Sequence, residues 1–446
     1  MRISKGRPVT RALVAVVGAS LFATACGAGQ SNDGESAGGS AAEVEGDTTG
    51  ITDDSIKLGT HMPLTGPAAP GYSEIPDGHK AYFDYVNANG GACDREIEYV
   101  VRDDGYNPTN TTNVVNQLVL KDQVFALYAG LGTPTHSAVL DFMTDEKVPD
   151  LFVSSGSKNW NQPKENPYTF GWQPDYTVEG KIVGQYIKEN FPKAKIGLFL
   201  QADELGRDGA EGIKKYVEDQ IVAEVTYTPG NTDVGAQVGE LQNKKADFVV
   251  GFNIPAYTAL THLTAQRLNY KPQWFHSNVG SDASLIGGLL SRVAPGTDPA
   301  QALQGTLTTQ YIPGIENDGD PWVELWKKVW EEHGTKEPLS NFRIYGMSGA
   351  YNMVSALLAS CDNLNREAIV KAVEEQGSDF KGPWFAPMEY SAESHRGITG
   401  LKVVQIEGGK PVEKSGVLTT DSAEGEIVPY EEDPFTPTED GLPDIG

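Results

Sequence analysis

The sequence predicts an α/β fold with two doubly wound, parallel-sheet lobes. Short β-rich runs alternate with longer amphipathic stretches through most of the chain, and this alternation is typical of parallel sheets with helices on both faces. The chain has 446 residues, enough for two or three domains at about 100–200 residues each. Gly and Pro together number 77, about 17% of the chain and below the level of low-complexity sequences, so we expect a folded core.

The first half contains four predicted strands separated by helices. The strands are Ile56–Gly59, Ile97–Val101, Val124–Ala129 and Asp150–Val153, and the helices are Asp77–Asn89, Asn110–Lys121 and Ser137–Glu146. The second half repeats the pattern with strands at Ile196–Leu200, Ile221–Thr228, Phe248–Phe252 and Trp274–Ser277, and with helices at Val178–Phe191, Gly209–Gln220, Val234–Lys244 and Ala256–Leu268. Each half spans about 125 residues, the size of one domain.

Two further helices follow. Asp320 can cap a helix that has Pro321 at its first position and ends at Gly334, because these residue types suit those places. Its tryptophans repeat every fourth residue (Trp322, Trp326 and Trp330). We expect this stripe to pack on its own domain, with a sugar- or membrane-binding face as the alternative. Tyr345–Cys361 is small and apolar enough for a buried helix.

The N-terminus is typical of an exported protein. Residues 1–25 carry four basic residues and no acid, with a 12-residue apolar run, Ala12–Ala23. That run is shorter than the ~20 residues of a membrane span, so it is interpreted as part of a signal peptide. Ala23-Thr-Ala25-Cys26 resembles a bacterial lipobox, although that pattern prefers Leu where Ala23 stands. We expect Cys26 to be lipidated; cleavage without lipidation and an uncleaved helix are the alternatives.

The segments that flank the folded region are acidic. Residues 26–50 are rich in Gly, Ser and acid, so we expect a flexible tether. Residues 418–446 form an acidic tail, expected to be extended and solvated, with a docking segment as the alternative. The net charge is −26, or −30 without residues 1–25. This excess argues against nucleic acid as a partner, because binding to phosphates requires a Lys/Arg surface.

Motifs for catalysis are absent from the sequence. Gly346-Met-Ser348-Gly-Ala350 resembles a nucleophile elbow, but no strand precedes it and its last Gly is replaced. Gly130–Thr135 lacks the third glycine of a dinucleotide fingerprint, and Pro134 is expected to disrupt a helix start there. No zinc, calcium or redox motif is present. We therefore expect no enzyme, cofactor or metal.

Three polar, glycine-rich loops follow predicted strands of the first half, at Pro63–Pro67, Gly130–Thr135 and Ser154–Ser157. In open α/β sheets ligands bind outside the carboxyl ends of the strands. Hydroxyls and exposed backbone amides there suit an anion of carboxylate size. Ordinary turn chemistry is the alternative, because the same residue types dominate turns.

These motifs, in this order, resemble the leucine/isoleucine/valine-binding family, the substrate-binding lipoproteins of ABC transporters with a type I periplasmic-binding-protein fold. The resemblance covers about Ile51 to Gly416. It is carried by the loops above together with Ile56–Gly59, Phe83–Asn87, Asn89–Gly91, Asp103-Asp104, Asn107-Pro108, Val148-Pro149 and Tyr345-Gly346.

The resemblance implies two lobes that close by a three-crossover hinge. The crossovers would lie near Gly171–Gln173, Thr308–Gln310 and Trp384–Met388. Lobe one would comprise residues 51–172 and 309–385, and lobe two residues 173–308 and 386–417. The implied ligand-binding residues of lobe one are Thr65, Tyr72, Gly132, Thr133, Thr135, Ser154, Ser155 and Ser157. Those of lobe two are Asp203, Leu205, Asn253 and Asn278.

One departure from the family concerns the ligand. The amino-acid binders place a Glu after the last lobe-two strand to pair the ligand ammonium, and here Asn278 stands at that place. A buried ammonium without a carboxylate would be poorly compensated. We therefore expect a non-amino carboxylate with an apolar or aromatic body, unless Asp203 or Asp282 supplies the charge.

The resemblance also places Cys93 and Cys361 in lobe one, and an exported protein favours a disulfide between them over two free thiols. It implies a monomeric extracytoplasmic receptor, anchored to the bacterial cell membrane by lipid only, that delivers a small-molecule ligand to ABC permease and ATPase subunits. A ligand sensor of the same fold and, more remotely, an exported α/β hydrolase are the alternatives.

Overall fold

The computed structural model describes residues 46–294, 296 and 298–445. The predicted signal peptide (1–25), the lipidation site Cys26 and the tether up to residue 45 lie outside the described residues. No helix in the described part combines the length and the hydropathy needed to cross a bilayer.

Lobe one is built on a sheet of five parallel strands in the order β2-β1-β3-β4-β5. The strands are β1 Ser55–Met62, β2 Glu96–Asp103, β3 Ala126–Tyr128, β4 Asp150–Val153 and β5 Thr169–Gly171. All residues of β3, β4 and β5 are buried, as expected for a parallel sheet covered on both faces.

The first helices of lobe one are α1 Ala69–Tyr72, α2 Ile75–Ala88, α3 Pro108–Leu120, α4 Thr133–Ser137 and α5 Leu140–Asp145. The predicted helix Ser137–Glu146 corresponds to α5, which begins later, at Leu140, whereas Ser137 is the last residue of α4. Pro134 does not disrupt the helix start, because it lies in the first turn of α4, where no backbone N–H is needed.

Lobe two is built on a larger, mixed sheet. Its parallel strands are β6 Ile196–Gln201, β7 Ile221–Tyr227, β8 Phe248–Phe252, β9 Gln273–His276 and β10 Leu307–Gln310. Four strands are antiparallel: β13 Gly400–Glu407, β14 Lys410–Glu413, β15 Leu418–Thr419 and β16 Val428–Pro429. The helices are α6 Tyr176–Asn190, α7 Glu204–Val217, α8 Gly235–Asn243, α9 Pro255–Arg267 and α10 Ala283–Val293. The predicted class, two doubly wound α/β lobes, is confirmed.

After β10 the chain returns to lobe one as α11 Pro321–His333, α12 Asn341–Leu358, α13 Arg366–Gln376 and a hairpin, β11 Met388–Ser391 with β12 Ser394–Ile398. Asp320 caps α11 as predicted, because its Oδ1 accepts from the backbone N–H of Trp322. The three tryptophans of α11 are buried, so the packing interpretation is confirmed.

The third crossing between the lobes comes later than the expected Trp384–Met388. The hairpin belongs to lobe one, since the Tyr390 hydroxyl donates to Gly171 O (2.7 Å) and His395 Nδ1 contacts Thr169 O (2.9 Å). The chain then enters the lobe-two sheet at Gly400. Residues 388–398, expected in lobe two, therefore pack on lobe one.

The acidic tail contacts the folded lobes at two places, residues 421–425 and 435–441, so the expectation of a solvated tail is wrong there, although most residues between them are exposed. The buried Lys181 ammonium lies among the carbonyl oxygens of Asp421 (2.8 Å), Ala423 (3.1 Å) and Gly425 (2.8 Å). Further along, lobe-one side chains donate to backbone carbonyls of the tail; these donors are Tyr82, Tyr85 and Trp322. Donors on the folded lobes thus bind backbone carbonyls of the tail, and these hydrogen bonds hold the tail in place although its side chains are mostly acidic.

A disulfide joins Cys93, after α2, to Cys361, after α12, with a Cα–Cα distance of 5.2 Å. It links two segments 268 residues apart in sequence. Both lie in lobe one, so the bond leaves the crossings between the lobes unconstrained.

Candidate functional site

A cavity of about 200 Å³ lies between the lobes, at the carboxyl ends of both parallel sheets. Its wall carries aromatic side chains from both lobes and from the crossing segments: Tyr72, Tyr106, Tyr176, Tyr311, Phe342 and Tyr345. No Lys, Arg or His of the described residues lines it. The cavity can therefore enclose an apolar body, and an anion inside it would be held by neutral donors.

Half of the sequence-predicted site residues are in the cavity wall. These are Tyr72, Gly132, Thr133 and Ser154 from lobe one, and Leu205 and Asn278 from lobe two. Ser155 lies just behind the wall, where its Oγ is 2.8 Å from Thr133 Oγ1. The loops after β3 and β4 thus meet at the cavity.

The other predicted lobe-one residues hold the loops in place. The Thr65 hydroxyl donates to Asp103 Oδ2 (2.7 Å), which ties the first loop to the end of β2. The Thr135 hydroxyl donates to Leu131 O (2.8 Å) within its own loop. The Ser157 hydroxyl donates to Asp208 Oδ2 (3.3 Å) of lobe two. None of the three lines the cavity.

Two predicted lobe-two residues are also turned away from the cavity. Asp203 caps α7 through the Leu205 N–H (3.0 Å) and accepts from Gln201 Nε2 (2.6 Å). Burial raises the pKa of Asp203 to about 6. Asn253 is fully buried, and its Oδ1 is 3.2 Å from His276 Nδ1. Asp203 therefore does not supply a charge to the cavity wall.

Sequence reasoning assigned no ligand role to several wall residues: Tyr106, Gln173, Tyr176, Thr309, Tyr311 and Tyr345. Two signals were present. Tyr345 stands in the Tyr345-Gly346 motif, and Gln173 stands in the first expected crossover. Segments that cross between lobes must pass the cleft, so their side chains were candidates.

A cluster of hydroxyls on the lobe-one side of the cavity is completed by Tyr176 of the lobe-two helix α6. Tyr176 OH lies 3.4 Å from Thr133 Oγ1 and 3.3 Å from Ser155 Oγ. Ser154 Oγ is buried, and the Tyr345 hydroxyl lies next to it. Burial raises the pKa of Tyr176 to about 12, so its phenol stays protonated at neutral pH. The cluster can donate several hydrogen bonds to an anion.

Backbone contacts hold the two hydroxyl-bearing loops together. Leu131 and Ser154 form an isolated parallel bridge. Gly132 has φ +111°, and a Cβ there would lie 2.4 Å from Thr135 Oγ1 and 2.6 Å from the Tyr106 ring. Glycine is therefore required at this position both for the backbone and for space.

The lobes contact each other around the cavity. The Tyr72 hydroxyl donates to Val279 O (2.8 Å), and Gln201 Nε2 donates to Tyr106 OH (3.2 Å). At another point the Lys158 ammonium lies 2.5 Å from Glu211 Oε2. These contacts pair lobe-one loops with lobe-two helices and loops, as expected of a cleft that closes on its contents.

Comparison with known proteins decides the family. A family profile described as "Periplasmic binding protein" matches residues 55–410. The chain belongs to this family. It is a family of extracytoplasmic substrate-binding proteins that bind small molecules and work with ABC transporters, and not a family of enzymes.

Individual relatives of this periplasmic binding protein are distant. Leu/Ile/Val-binding protein homolog 1 of Brucella suis biovar 1 is 24% identical over 331 residues, which cover 72% of this chain and 83% of the relative. A fatty acid ABC transporter substrate-binding protein from Thermomonospora curvata superposes with a TM-score of 0.72 at 24% identity, covering 84% of this chain and 95% of its own. A branched-chain amino acid ABC transporter protein from Thermus thermophilus with bound valine gives a TM-score of 0.71 at 19% identity, covering 83% and 98%.

One end of the cavity of this periplasmic binding protein is acidic. Asp282 and Glu316 line it and share the amide of Asn341, whose Nδ2 lies 2.9 Å from Asp282 Oδ2 and 3.2 Å from Glu316 Oε1. Burial raises the pKa of Glu316. Asp282 also caps α10 through the Leu285 N–H. Both carboxylates thus already have hydrogen-bond donors within the protein.

A buried chain of four side chains lies beneath the Gly130–Thr133 loop. Asp104 Oδ2 is 2.8 Å from His61 Nδ1, His61 Nε2 is 3.0 Å from His136 Nδ1, and His136 Nε2 is 2.8 Å from Asp150 Oδ2. Asp104 Oδ1 also accepts from the Tyr106 N–H (2.8 Å). These four hydrogen-bonded side chains thereby connect β1, α4 and β4 to the segment that carries Tyr106. They support the lobe-one wall on the side away from the cavity.

Proposed function

We propose that this chain is the lipid-anchored receptor of an ABC importer and that it captures a small non-amino carboxylate with an apolar or aromatic body. The carboxylate would be held at the hydroxyl cluster of lobe one, and the body would be enclosed by the aromatic wall. Closure of lobe two would then bury the ligand and present the closed form to the permease. The lipid anchor at Cys26 and monomeric state belong to the same proposal.

The observation that carries the proposal is the chemistry of the cavity wall. Six aromatic side chains line it, and no basic side chain of the described residues does. Ser154 Oγ is buried beside the Tyr345 hydroxyl, and this pair of hydroxyls can donate a hydrogen bond to a ligand. A buried polar group is stabilised only when it finds a hydrogen-bond partner, so a ligand oxygen at this point would satisfy it.

The absence of a free carboxylate at the Asn278 position supports a ligand without an ammonium group. Asn278 lines the cavity with a neutral amide. Asp203 is turned away from the wall. The two carboxylates that line the cavity, Asp282 and Glu316, are both bonded to the Asn341 amide. The similar proteins of known structure include both a fatty-acid receptor and a valine complex, so acids and amino acids both belong in a screen.

A thermal-shift screen of small carboxylates and amino acids tests the proposal, because a ligand that binds the native state raises its melting temperature by mass action. We expect apolar or aromatic acids to raise the melting temperature and branched-chain amino acids to leave it unchanged. Ser154→Ala should reduce the shift, since it removes a donor worth about 1–2 kcal/mol or roughly tenfold in Kd. Ser291→Ala, in lobe two outside the cavity wall, is the matched control. A shift from leucine alone would contradict the non-amino assignment.

A further inference from the structure

A fully buried carboxylate, Glu179, lies behind the lobe-two wall of the cavity. It stands in the first turn of α6, three residues after the wall residue Tyr176, and it has no solvent exposure. Glu179 itself does not line the cavity. A buried carboxylate is costly unless donors surround it, so its partners show what it does.

Three donors converge on Glu179. The Ser277 hydroxyl donates to Oε2 (2.7 Å), and the backbone N–H of Asn278 donates to Oε1 (2.9 Å). The Thr309 hydroxyl makes a short hydrogen bond to Oε1. Ser277 and Asn278 follow β9, and Thr309 is in β10. One carboxylate thus joins the start of α6 to the ends of two neighbouring strands, and two of its partners, Asn278 and Thr309, line the cavity.

These contacts set the direction of the hydroxyl hydrogens. Burial raises the pKa of Glu179, and the hydrogen bonds from Thr309, Asn278 and Ser277 oppose that shift. In its carboxylate form Glu179 only accepts hydrogen bonds, and a hydroxyl has one hydrogen to donate. The Thr309 hydrogen is therefore used on Glu179, and Thr309 Oγ1 offers only lone pairs to the cavity. The Asn278 amide nitrogen lies 3.5 Å from the same oxygen, so Asn278 faces Thr309 as a donor as well. The lobe-two wall at Thr309 is consequently an acceptor surface.

We propose that Glu179 is a positioning residue that makes this wall an acceptor, so that the captured acid carries a second group which donates a hydrogen bond, such as a hydroxyl. The inference rests on the proposed function and narrows its substrate class to hydroxy-substituted apolar or aromatic carboxylates. A neutral donor fits better than an ammonium, because Thr309 and Asn278 separate Glu179 from the cavity. An acid that lacks the donor leaves the buried acceptor unpaired and binds more weakly.

Matched pairs of benzoates test the specificity. Fluorine replaces a hydroxyl with little change in size but cannot donate, so 3- and 4-hydroxybenzoate are compared by calorimetry with 3- and 4-fluorobenzoate. We expect the wild type to bind at least one hydroxybenzoate about tenfold or more tightly than its fluoro partner. Glu179→Gln should reduce that preference to about threefold or less. The glutamine amide can donate to Thr309 Oγ1, and the Thr309 hydroxyl hydrogen is then free to point toward the cavity. Equal preferences in the two proteins, or none in the wild type, would overturn the specificity inference.

The matched control is Glu189→Gln on the same helix, where Glu189 is exposed and is paired only with Gln185 (2.9 Å) among the described residues. It should retain the wild-type preference. Hydrogen exchange of the segment 277–281 in the ligand-free proteins gives a readout that needs no ligand. Replacing the charged acceptor with a neutral one weakens its hydrogen bonds. The backbone amides of residues 277–281 should therefore exchange several-fold faster in Glu179→Gln than in Glu189→Gln. Equal exchange rates in the two variants would overturn the positioning role. If no benzoate binds to any protein, the proposed aromatic-acid function fails, and exchange alone decides the role of Glu179.

Discussion

At the scale of single residues, the polar groups of the cavity wall are held by partners that do not touch the cavity. Ser155 supports Thr133, Asp104 supports Tyr106, and Glu179 supports Thr309. This second layer fixes where each donor and acceptor points. A change one layer behind the wall should therefore alter affinity almost as much as a change in the wall itself.

Gly132 provides a direct test of close packing at the wall. In Gly132→Ala the new Cβ meets Thr135 Oγ1 and the Tyr106 ring at 2.4 and 2.6 Å, so we expect about tenfold weaker ligand binding and a lower free energy of unfolding by about 1–3 kcal/mol. Gly90→Ala is the matched control, because Gly90 has a similar φ of +107° but open space around its Cβ position. Equal losses in the free energy of unfolding in the two variants would show that backbone strain, and not the clash, is responsible.

Asp208 gives a pH dependence with a defined sign. Burial raises its pKa to about 6, above that of an exposed Asp near 3.9, so the folded state favours the protonated form. The stability tied to this proton is present below about pH 4 and is lost as the pH rises through about 6. Asp208→Asn should therefore raise the melting temperature relative to wild type more at pH 7 than at pH 4.5, by about 1–2 kcal/mol in stability.

The control for Asp208 is Asp141→Asn, at an exposed position of α5. Its difference from wild type should not change between the two pH values. The Asp208 prediction fails if Asp208→Asn shows a pH-independent difference of the same kind.

The residues of the site could be predicted only in part. Loop composition and the family resemblance led to Thr133, Ser154 and Asn278, which line the cavity. The same criteria could not show that Thr65 turns toward Asp103 or that Asn253 is fully buried. Side-chain direction depends on tertiary partners that no local pattern contains.

At the scale of elements, the disulfide and the tail each connect distant parts of the sequence. The Cys93–Cys361 bond joins the ends of α2 and α12, which pack against each other in lobe one. Replacing both cysteines with serine should lower the free energy of unfolding by about 2–5 kcal/mol, since a cross-link over a long loop restricts the unfolded chain. Denaturant unfolding measures this, and ligand affinity at 25 °C should remain within about twofold because the bond is confined to one lobe.

The docked tail should contribute to stability. In a chain that ends at Val417, the Lys181 ammonium would lose its carbonyl partners and Tyr82 and Tyr85 would lose theirs. We expect a melting temperature lower by several degrees, because buried donors left without acceptors cost about 1–3 kcal/mol each before water replaces the lost contacts. Lys181→Met in the full chain should reproduce part of the loss, whereas an unchanged melting temperature after truncation would show that the tail contributes nothing.

Elements were predicted better where periodicity is strong. The predicted strand Asp150–Val153 has the same first and last residues as β4. Asp320 and Gly334 flank α11 at its two ends, as predicted. The hairpin β11–β12 and the tail were misplaced, because their positions depend on contacts with β5, α6 and α11 and not on their own composition. An acidic, proline-containing segment is typical of a solvated tail, and only the donors of the folded lobes show otherwise.

At the scale of the whole molecule, the two lobes, their crossing segments and the cavity form a receptor that encloses its ligand. Family membership accounts for the fold and for substrate binding. The hydroxyls on lobe one carry the proposal of a carboxylate ligand. The wall's two carboxylates, Asp282 and Glu316, are both hydrogen-bonded to Asn341, and this supports a ligand that lacks an ammonium group. The lobe contacts at Tyr72–Val279 and Tyr106–Gln201 are those that closure would form.

Calorimetric titration of the purified protein with leucine and with benzoate-like acids tests this claim most directly. We predict that at least one apolar or aromatic acid binds with a Kd in the micromolar range or below and that leucine gives no heat of binding. Tight binding of leucine, with none of the acids bound, would contradict the assignment of a non-amino carboxylate.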